Sequence, residues 1–429
     1  IIIIPEIEMP SHSEEVLTAY PELSCTHQPY KQSDFCPGND KVFEFLEDVL
    51  DEVMELFPSH YIHIGGDEAA KSSWMSCELC RKRMKQEGLE NVDQLQSYLV
   101  SRVERYLNAH GRDIIGWDEI MDGGLAPNAT VMSWRGIEGG IKAAESGHKA
   151  IMTPGAFCYL DSNQDDPSGQ PIAIGGYLPL GKVYGYDPAP DSLSREVRNC
   201  IIGVQGNLWC EHIPTGELAE YMLWPRMIAV AETGWTPQDR KSYDDFHARA
   251  LAMTEKMAAE GYNVFDLKSE VGNRPESQSE IEHLGRGKQV TYNLPWWKNY
   301  PADGATSLVD GKRGGWSYND GRWQGFMTDS SDRLDVIVDL EQVSDIEYIG
   351  ADFMQICAPD VWFPSKVTIS VSVDGNEFSP LTVIENETAA TDRITFKSFD
   401  WQGKTSARYV RYRADAERGV LFTDEIVIR

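Results

Sequence analysis

The chain has 429 residues, 41% of them hydrophobic, and its 68 acidic against 39 basic residues leave a formal charge of −29. That balance excludes a nucleic-acid partner, since phosphate backbones are met by basic patches, and no apolar run is long enough to span a bilayer. The length suits two or three domains around large cores.

Ile1–Ile4 reads as a fully apolar strand. A helix is expected over Lys41–Phe57, with Val42, Phe45, Leu46, Val49, Val53 and Leu56 on its buried face, Asn39 or Asp40 as cap and Pro58 as stop. Tyr61–Ile64 is the next strand, and its helix runs from Asp93 to about Asn108. Asp113–Gly116, Thr130–Ser133, Lys149–Met152 and Ile201–Gly206 are four further strands; Gly216–Glu232 and Tyr243–Glu260 are closing helices. Apolar strands alternating with amphipathic helices predict a parallel sheet covered on its outside. Polar and aromatic residues follow nearly every strand, as barrel active sites require, so the fold class is read as a (β/α)8 TIM barrel. Six strands against the required eight make it partial, short of about two N-terminal strand–helix units. A half-open doubly wound sheet is the competing reading.

From about residue 262 the helical period gives way to short alternating β-branched runs: Leu334–Leu340, Ile346–Phe353, Lys366–Val373, Arg393–Phe396, Tyr409–Arg413 and Glu425–Arg429. The expected division is a barrel over 1–265, a linker over 266–284 and an all-β, jelly-roll-like sandwich over 285–429.

Eight cysteines do not make a disulfide framework in a chain this long. Cys25 and Cys36 bracket a polar loop and could pair. Cys77-Glu78-Leu79-Cys80 has metal-like spacing, but no second Cys/His pair follows at a zinc-finger interval, so these two thiols are read as structural or a local disulfide.

The most informative stretch is His63-Ile64-Gly65-Gly66-Asp67-Glu68. It sets two carboxylates at the end of a buried strand. Strict alternation would send them to opposite faces, but two glycines let the backbone bend so that both face one cleft. Crowded carboxylates do not ionise together easily, so one keeps its proton nearer neutral pH and can act as an acid. Other strand ends carry Pro5-Glu6-Ile7-Glu8-Met9-Pro10-Ser11-His12, Trp117-Asp118-Glu119, Trp134-Arg135-Gly136, Tyr159-Leu160-Asp161 and Asn207-Leu208-Trp209-Cys210-Glu211-His212. Tryptophan faces stack on a pyranose and carboxylates accept its hydroxyls, so the set points to a sugar-sized pocket.

In this order, the segments IIIIPEIEMPSH, HIGGDE, IGWDEI, MSWRG and NLWCEH resemble the family 20 glycoside hydrolases, the β-N-acetylhexosaminidases, over about residues 1–260. The resemblance implies a retaining exo-acting enzyme that releases terminal GlcNAc or GalNAc and needs no cofactor. Its nucleophile is the substrate's own 2-acetamido oxygen rather than a protein carboxylate. It makes Glu68 the general acid and then base, and Asp67 the residue that orients the acetamido group. Tyr159 would bond the acetamido carbonyl, and His12 would assist the pair. Trp117, Trp134 and Trp209 would wall the sugar, and Asp161 and Glu211 would hold its far hydroxyls. His63 is left as a supporting or core residue, and Asp118 and Glu119 are unassigned. The family's sugar-binding arginine and supporting aspartate, from the first two barrel strands, are not found in this sequence, so the chain by itself is expected to be inactive and poorly folded.

Residues 285–429 resemble the discoidin-type galactose-binding sandwich, on Ala305–Gly311, Trp323–Phe326 and Leu334–Leu340. This makes the region a candidate carbohydrate-binding module. It also implies a structural Ca2+ near Asp310, a site suited to a hard cation. The partners expected are GlcNAc/GalNAc-terminated glycans, with no nucleic acid and no membrane span. An extracytoplasmic location (periplasmic, cell-surface or secreted) follows from the resemblance alone, and oligomeric state is not specified. Two rival functions are a glycosidase with a protein carboxylate nucleophile and a non-catalytic carbohydrate-binding protein.

Overall fold

A computed structural model describes residues 1–327 and 332–429. They form two compact units. The first comprises Ile1–Tyr159, Val183–Asn207 and Ala229–Lys241; the second comprises Leu160–Lys182, Leu208–Ile228 and Ser242–Arg429.

The first unit is built on a parallel sheet of β1 (Tyr61–His63), β2 (Asp113–Trp117), β3 (Thr130–Ser133), β4 (Ala150–Met152) and β5 (Ile201–Val204), paired in sequence order. Ile62 pairs with Ile114, Gly116 with Val131, and Met132 with Ile151. Parallel neighbours taken in chain order, with crossovers between them, are the strand arrangement of a TIM barrel wall. The helix Asp40–Leu56 starts where the Asn39 side chain accepts Lys41 N–H, and it ends at Phe57, before Pro58. It buries Val42, Phe43, Leu46, Leu50 and Val53. Leu56, expected on that face, lies in the last turn and is 73% exposed. The helix Val92–Ala109 is capped by Asn91 and buries Leu95, Leu99, Val100, Val103 and Leu107. Each such aliphatic side chain contributes about 1.5–3 kcal/mol on burial.

Ile1–Ile4 is not a strand, and all four side chains are exposed. Pairing begins one residue later. His63 N–H donates to Pro5 C=O, Ile7 N–H to His63 C=O and Met9 N–H to Ile64 C=O. This extended segment buries Met9, and alternation places Glu6 and Glu8 together on its other side. The helix expected over Gly216–Glu232 is two, Gly216–Leu223 and Arg226–Trp235. Pro225 has no N–H to donate, and its ring clashes with the preceding turn.

The second unit is an antiparallel sandwich of β6 (Gln289–Tyr292), β7 (Gln324–Phe326), β8 (Asp332–Gln355), β9 (Lys366–Ser372), β10 (Ser379–Glu385), β11 (Thr395–Asp415) and β12 (Leu421–Ile428). The runs Leu334–Leu340 and Ile346–Phe353, expected as two strands, are one; so are Arg393–Phe396 and Tyr409–Arg413. The long β8 and β11 pair along their whole length and shift register between Gln402 and Thr405 and again between Ala407 and Tyr409. Those bulges let each strand pass from one layer to the other. One layer joins β10, β9, the second half of β11, the first half of β8, and β6; the other joins the remaining halves with β12 and β7.

Residues 266–284, expected to link two domains, pack within this unit. Arg274 is buried, with Nη2 2.5 Å from Asp352 and Nη1 3.4 Å from Asp424. The segment 160–182 is tied in as well. Asp165 accepts Val271 and Gly272 N–H at 2.8 Å, and Arg393 donates to Pro167 C=O at 3.1 Å. Trp316 and Trp323 are buried, so both serve packing. Among the described residues, no helix is long and apolar enough to cross a membrane.

Candidate active site

The loop after β1 turns sharply because Gly65 and Gly66 adopt φ of 67° and 101°, and Glu68 follows with a positive φ of 52°. A side chain at Gly65 would run into Glu8 Oε2, and one at Gly66 would come within 2.5 Å of Ile120. Glycine is therefore required for the loop to close over the Glu6–His12 segment. The closure brings both acids to His12. Its Nε2 lies 3.3 Å from Asp67 Oδ2 and 3.4 Å from Glu68 Oε2. Ser11 Oγ donates to Asp67 C=O and pins the turn. The bend read from the sequence is present, and the three expected residues converge.

Their environments differ. The Asp67 side chain is 14% exposed and that of Glu68 is 57% exposed. Burial pushes the Asp67 carboxyl above its ordinary value, with the charges of Glu6 and Glu68 adding to the effect and His12 opposing it. Asp67 Oδ1 is buried and has no hydrogen-bond partner among the described residues. It is a buried acceptor with unused capacity.

Behind the pair stand two acids to which sequence reasoning gave no role. Glu8 is pushed up to about 9 by burial and by the neighbouring charges of Asp67, Glu6 and Glu68, so it keeps its proton at neutral pH. Glu6 goes the other way. Burial would raise it, but the hydrogen bond and charge of His63 outweigh that and hold it low as a carboxylate. Glu6 Oε1 lies 3.0 Å from His63 Nδ1 and accepts Trp117 Nε1–H at 2.9 Å. Trp117, expected as a wall of the sugar pocket, is only 2% exposed and packs with Ile115 and Met132. With almost no open surface, it acts by holding Glu6.

Trp134 and Tyr159 stack, with ring centroids 6.2 Å apart and planes 22° from parallel. Glu119 Oε2 accepts Trp134 Nε1–H at 2.9 Å and so sets the indole's orientation. Arg135 balances the acids there, with Nε 3.1 Å from Asp118 Oδ2 and 3.8 Å from Glu119 Oε2.

In the second unit, Asp161 is buried and its carboxyl is pushed up to about 6 by burial, with Glu211 adding to the rise and Arg226 opposing it. Asp161 Oδ1 has no hydrogen-bond partner among the described residues. Arg226 is wholly buried and donates to the carbonyls of Leu160, Ser162, Leu178 and Met222. It therefore shapes the loop that presents Asp161. Glu211 and Trp209 are exposed.

Among the described residues, two groups of side chains have ligand atoms close enough to share a cation: His12, Asp67 and Glu68, and the cysteines 25, 36, 77 and 80. Asp310 belongs to neither. Its Oδ1 accepts Lys312 N–H at 2.8 Å, and the Lys312 ammonium lies 3.7 Å from its Oδ2 and 2.9 Å from Asp303 Oδ2. A lysine ammonium already balances these two acids, so the residues present fit the expected Ca2+ poorly.

Paired acids, a histidine and stacked aromatics follow the strands of a parallel sheet, which is where barrel enzymes carry their active sites. The model of glycosyl hydrolase family 20, catalytic domain, matches residues 1–238, and the chain belongs to that family. It is 48% identical over 272 residues to a β-hexosaminidase of Porphyromonas gingivalis, covering 61% of this chain and 35% of that protein. It is 34% identical over 246 residues to a β-hexosaminidase of Vibrio furnissii, covering 54% of this chain and 40% of that one. The chain thus spans well under half the length of these relatives. Among solved structures, it resembles the β-N-acetylhexosaminidase of Bacteroides fragilis at 30% identity and a TM-score of 0.54, over 61% of this chain and 54% of that one. The exo-β-N-acetylglucosaminidase of Vibrio harveyi, solved with N-acetylglucosamine, aligns at 28% identity and a TM-score of 0.56, over 62% of this chain and 44% of that one.

Proposed function

We propose that this chain carries the catalytic machinery of a retaining exo-β-N-acetylhexosaminidase acting on GlcNAc- or GalNAc-terminated glycans through the substrate's acetamido group. The single observation that carries the reading is the His12–Asp67–Glu68 cluster, in which one carboxylate is open to solvent and the other is buried with a free acceptor oxygen. Glu68, the open one, protonates the glycosidic oxygen as the acetamido oxygen attacks C1 and the C1–O bond breaks. The Asp67 carboxylate accepts the acetamido N–H and stabilises the oxazolinium cation as charge develops. Glu68, now ionised, takes a proton from the water that opens the oxazolinium ring. Trp134 and Tyr159 flank the acetamido group, and Tyr159 bonds its carbonyl. The family resemblance gives Trp209, Asp161 and Glu211, all in the second unit, the roles of stacking on a sugar and taking its outer hydroxyls.

Glu6 and Glu8 act through Asp67, and Trp117 through Glu6. No cofactor enters the chemistry, and Lys312 rather than calcium is the counter-charge of Asp310. Residues 285–429 serve as an appended module. An extracytoplasmic location fits a glycan substrate.

The test compares a chromogenic N-acetyl-β-glucosaminide with the matching β-glucoside, using the complete gene product and its Glu68→Gln variant. Turnover of the first alone, lost in the variant and regained with added azide as an external nucleophile, is expected. Equal turnover of both substrates would point to a protein nucleophile. Binding of GlcNAc without any turnover would make this a carbohydrate-binding protein.

A further inference from the structure

Two pairs of cysteines from separate segments, Cys25 with Cys36 and Cys77 with Cys80, meet in the first unit, and the proposed hydrolysis makes no use of them. Cys36 Sγ lies 3.5 Å from Cys80 Sγ and 3.7 Å from Cys77 Sγ, and Cys25 Sγ lies 3.6 Å from Cys80 Sγ. All four sulfurs fall within 4.8 Å of one another. Sulfurs bound tetrahedrally at about 2.3 Å from zinc are separated by about 3.8 Å, so the spacing is close to that of a tetrathiolate cage.

The surrounding backbone is shaped for it. Cys36-Pro37-Gly38 lies flat on the Cys77–Cys80 turn, since a side chain at Gly38 would strike the backbone of Leu79 and Cys80. Cys77 is the N-cap of the ten-residue helix Glu78–Glu87, whose partly positive end favours thiolates. Cys36 and Cys80 are buried, and Cys25 and Cys77 are half-buried, which shields the cage while leaving a route for the metal.

We propose that Cys25, Cys36, Cys77 and Cys80 are the ligands of a structural zinc ion. Four thiolates leave no coordination position for water or substrate, so the ion holds structure and takes no part in hydrolysis. It would join the loop that follows His12 to the segment that follows Glu68. The same two segments already meet where Asp34 Oδ2 accepts Lys71 N–H at 3.0 Å and Trp74 Nε1–H donates to Phe35 C=O at 2.9 Å. The metal therefore braces the loop that carries the Asp67–Glu68 pair from behind.

The test is elemental analysis of the chain purified from zinc-supplemented cells without chelators, with the mass of the denatured protein measured alongside. One zinc per chain, released in step with mercurial titration of four thiols, is expected. Cys36→Ser should lose the metal, and Cys200→Ser, outside the cluster, should keep it. Co2+ exchanged into the unmodified chain gives a second readout that does not depend on a variant folding: the intense visible bands and sulfur-to-metal charge transfer of a tetrahedral tetrathiolate. A metal-free chain with freely reactive thiols, or a mass lowered by the hydrogens lost to two disulfides, would overturn the proposal.

Discussion

Glu8→Gln separates the proton on Glu8 from its shape. Gln has the same size and cannot ionise, and its amide can donate to Glu6 as the protonated carboxyl does. The Glu8 carboxyl stands at about 9 in the folded protein against an ordinary 4.5, through burial and then the nearby acids. At about 1.4 kcal/mol per pH unit, that difference corresponds to roughly 6 kcal/mol against ionisation, before solvent screening at a partly exposed group cuts it to about 2–3 kcal/mol. The folded value lies above the unfolded one, so folding takes up a proton between them. The stabilising contribution is complete below pH 4.5 and is lost as pH rises toward about 9. The Gln variant has no such slope. Urea unfolding followed by tryptophan fluorescence should find the two proteins equal near pH 4.5, with the variant more stable by about 2 kcal/mol at the alkaline end. Parallel stability curves across that range would refute the reasoning, and would mean that Glu8 is ionised in the folded protein.

Two further outcomes are expected. Arg274→Met leaves Asp424 and Asp352 with Arg313 as their remaining guanidinium partner, with ion-pair distances of 3.7 Å and 2.6 Å. Breaking a buried pair costs about 3–5 kcal/mol, so thermal or urea unfolding of the second unit should shift by that amount, and a change under 1 kcal/mol would count against the network. Trp134→Phe keeps an aromatic face beside Tyr159 but removes the N–H held by Glu119. A hydrogen bond to a charged group is worth about 1.5–3 kcal/mol, so kcat/KM for the N-acetyl-β-glucosaminide should fall about 10-fold or more, and an unchanged value would show that the bond does not orient the indole in the bound state.

What could be read from the chain was local. Asn39 and Pro58 mark the ends of the first long helix because a cap and a missing N–H act within one turn. The strands from Tyr61 to Val204 were legible because a covered parallel sheet needs apolar residues on both faces. Gly65-Gly66 before two acids announced a bend because only glycine takes those backbone angles cheaply. Partner-dependent features were not legible. Ile1–Ile4 is more apolar than the segment that actually pairs, so hydrophobicity alone placed the strand too early and hid Glu6 and Glu8 as a facing pair. The two longest strands looked like four because their bulges read as ends. A buried Arg226 has no local signature, since the carbonyls that satisfy it come from the 160–178 segment and from Met222, on the helix just before it.

The cysteines show the division most clearly. The CxxC spacing and the acids after β1 can be read along the chain, because both are matters of residue type and short spacing. That Cys25 and Cys36 lie beside the CxxC pair, and that one acid of the Asp67–Glu68 pair is buried while its neighbour is open, emerges with the packing of distant segments. Ligand geometry and burial depend on segments brought together across dozens of residues, and the chain order does not encode those distances directly.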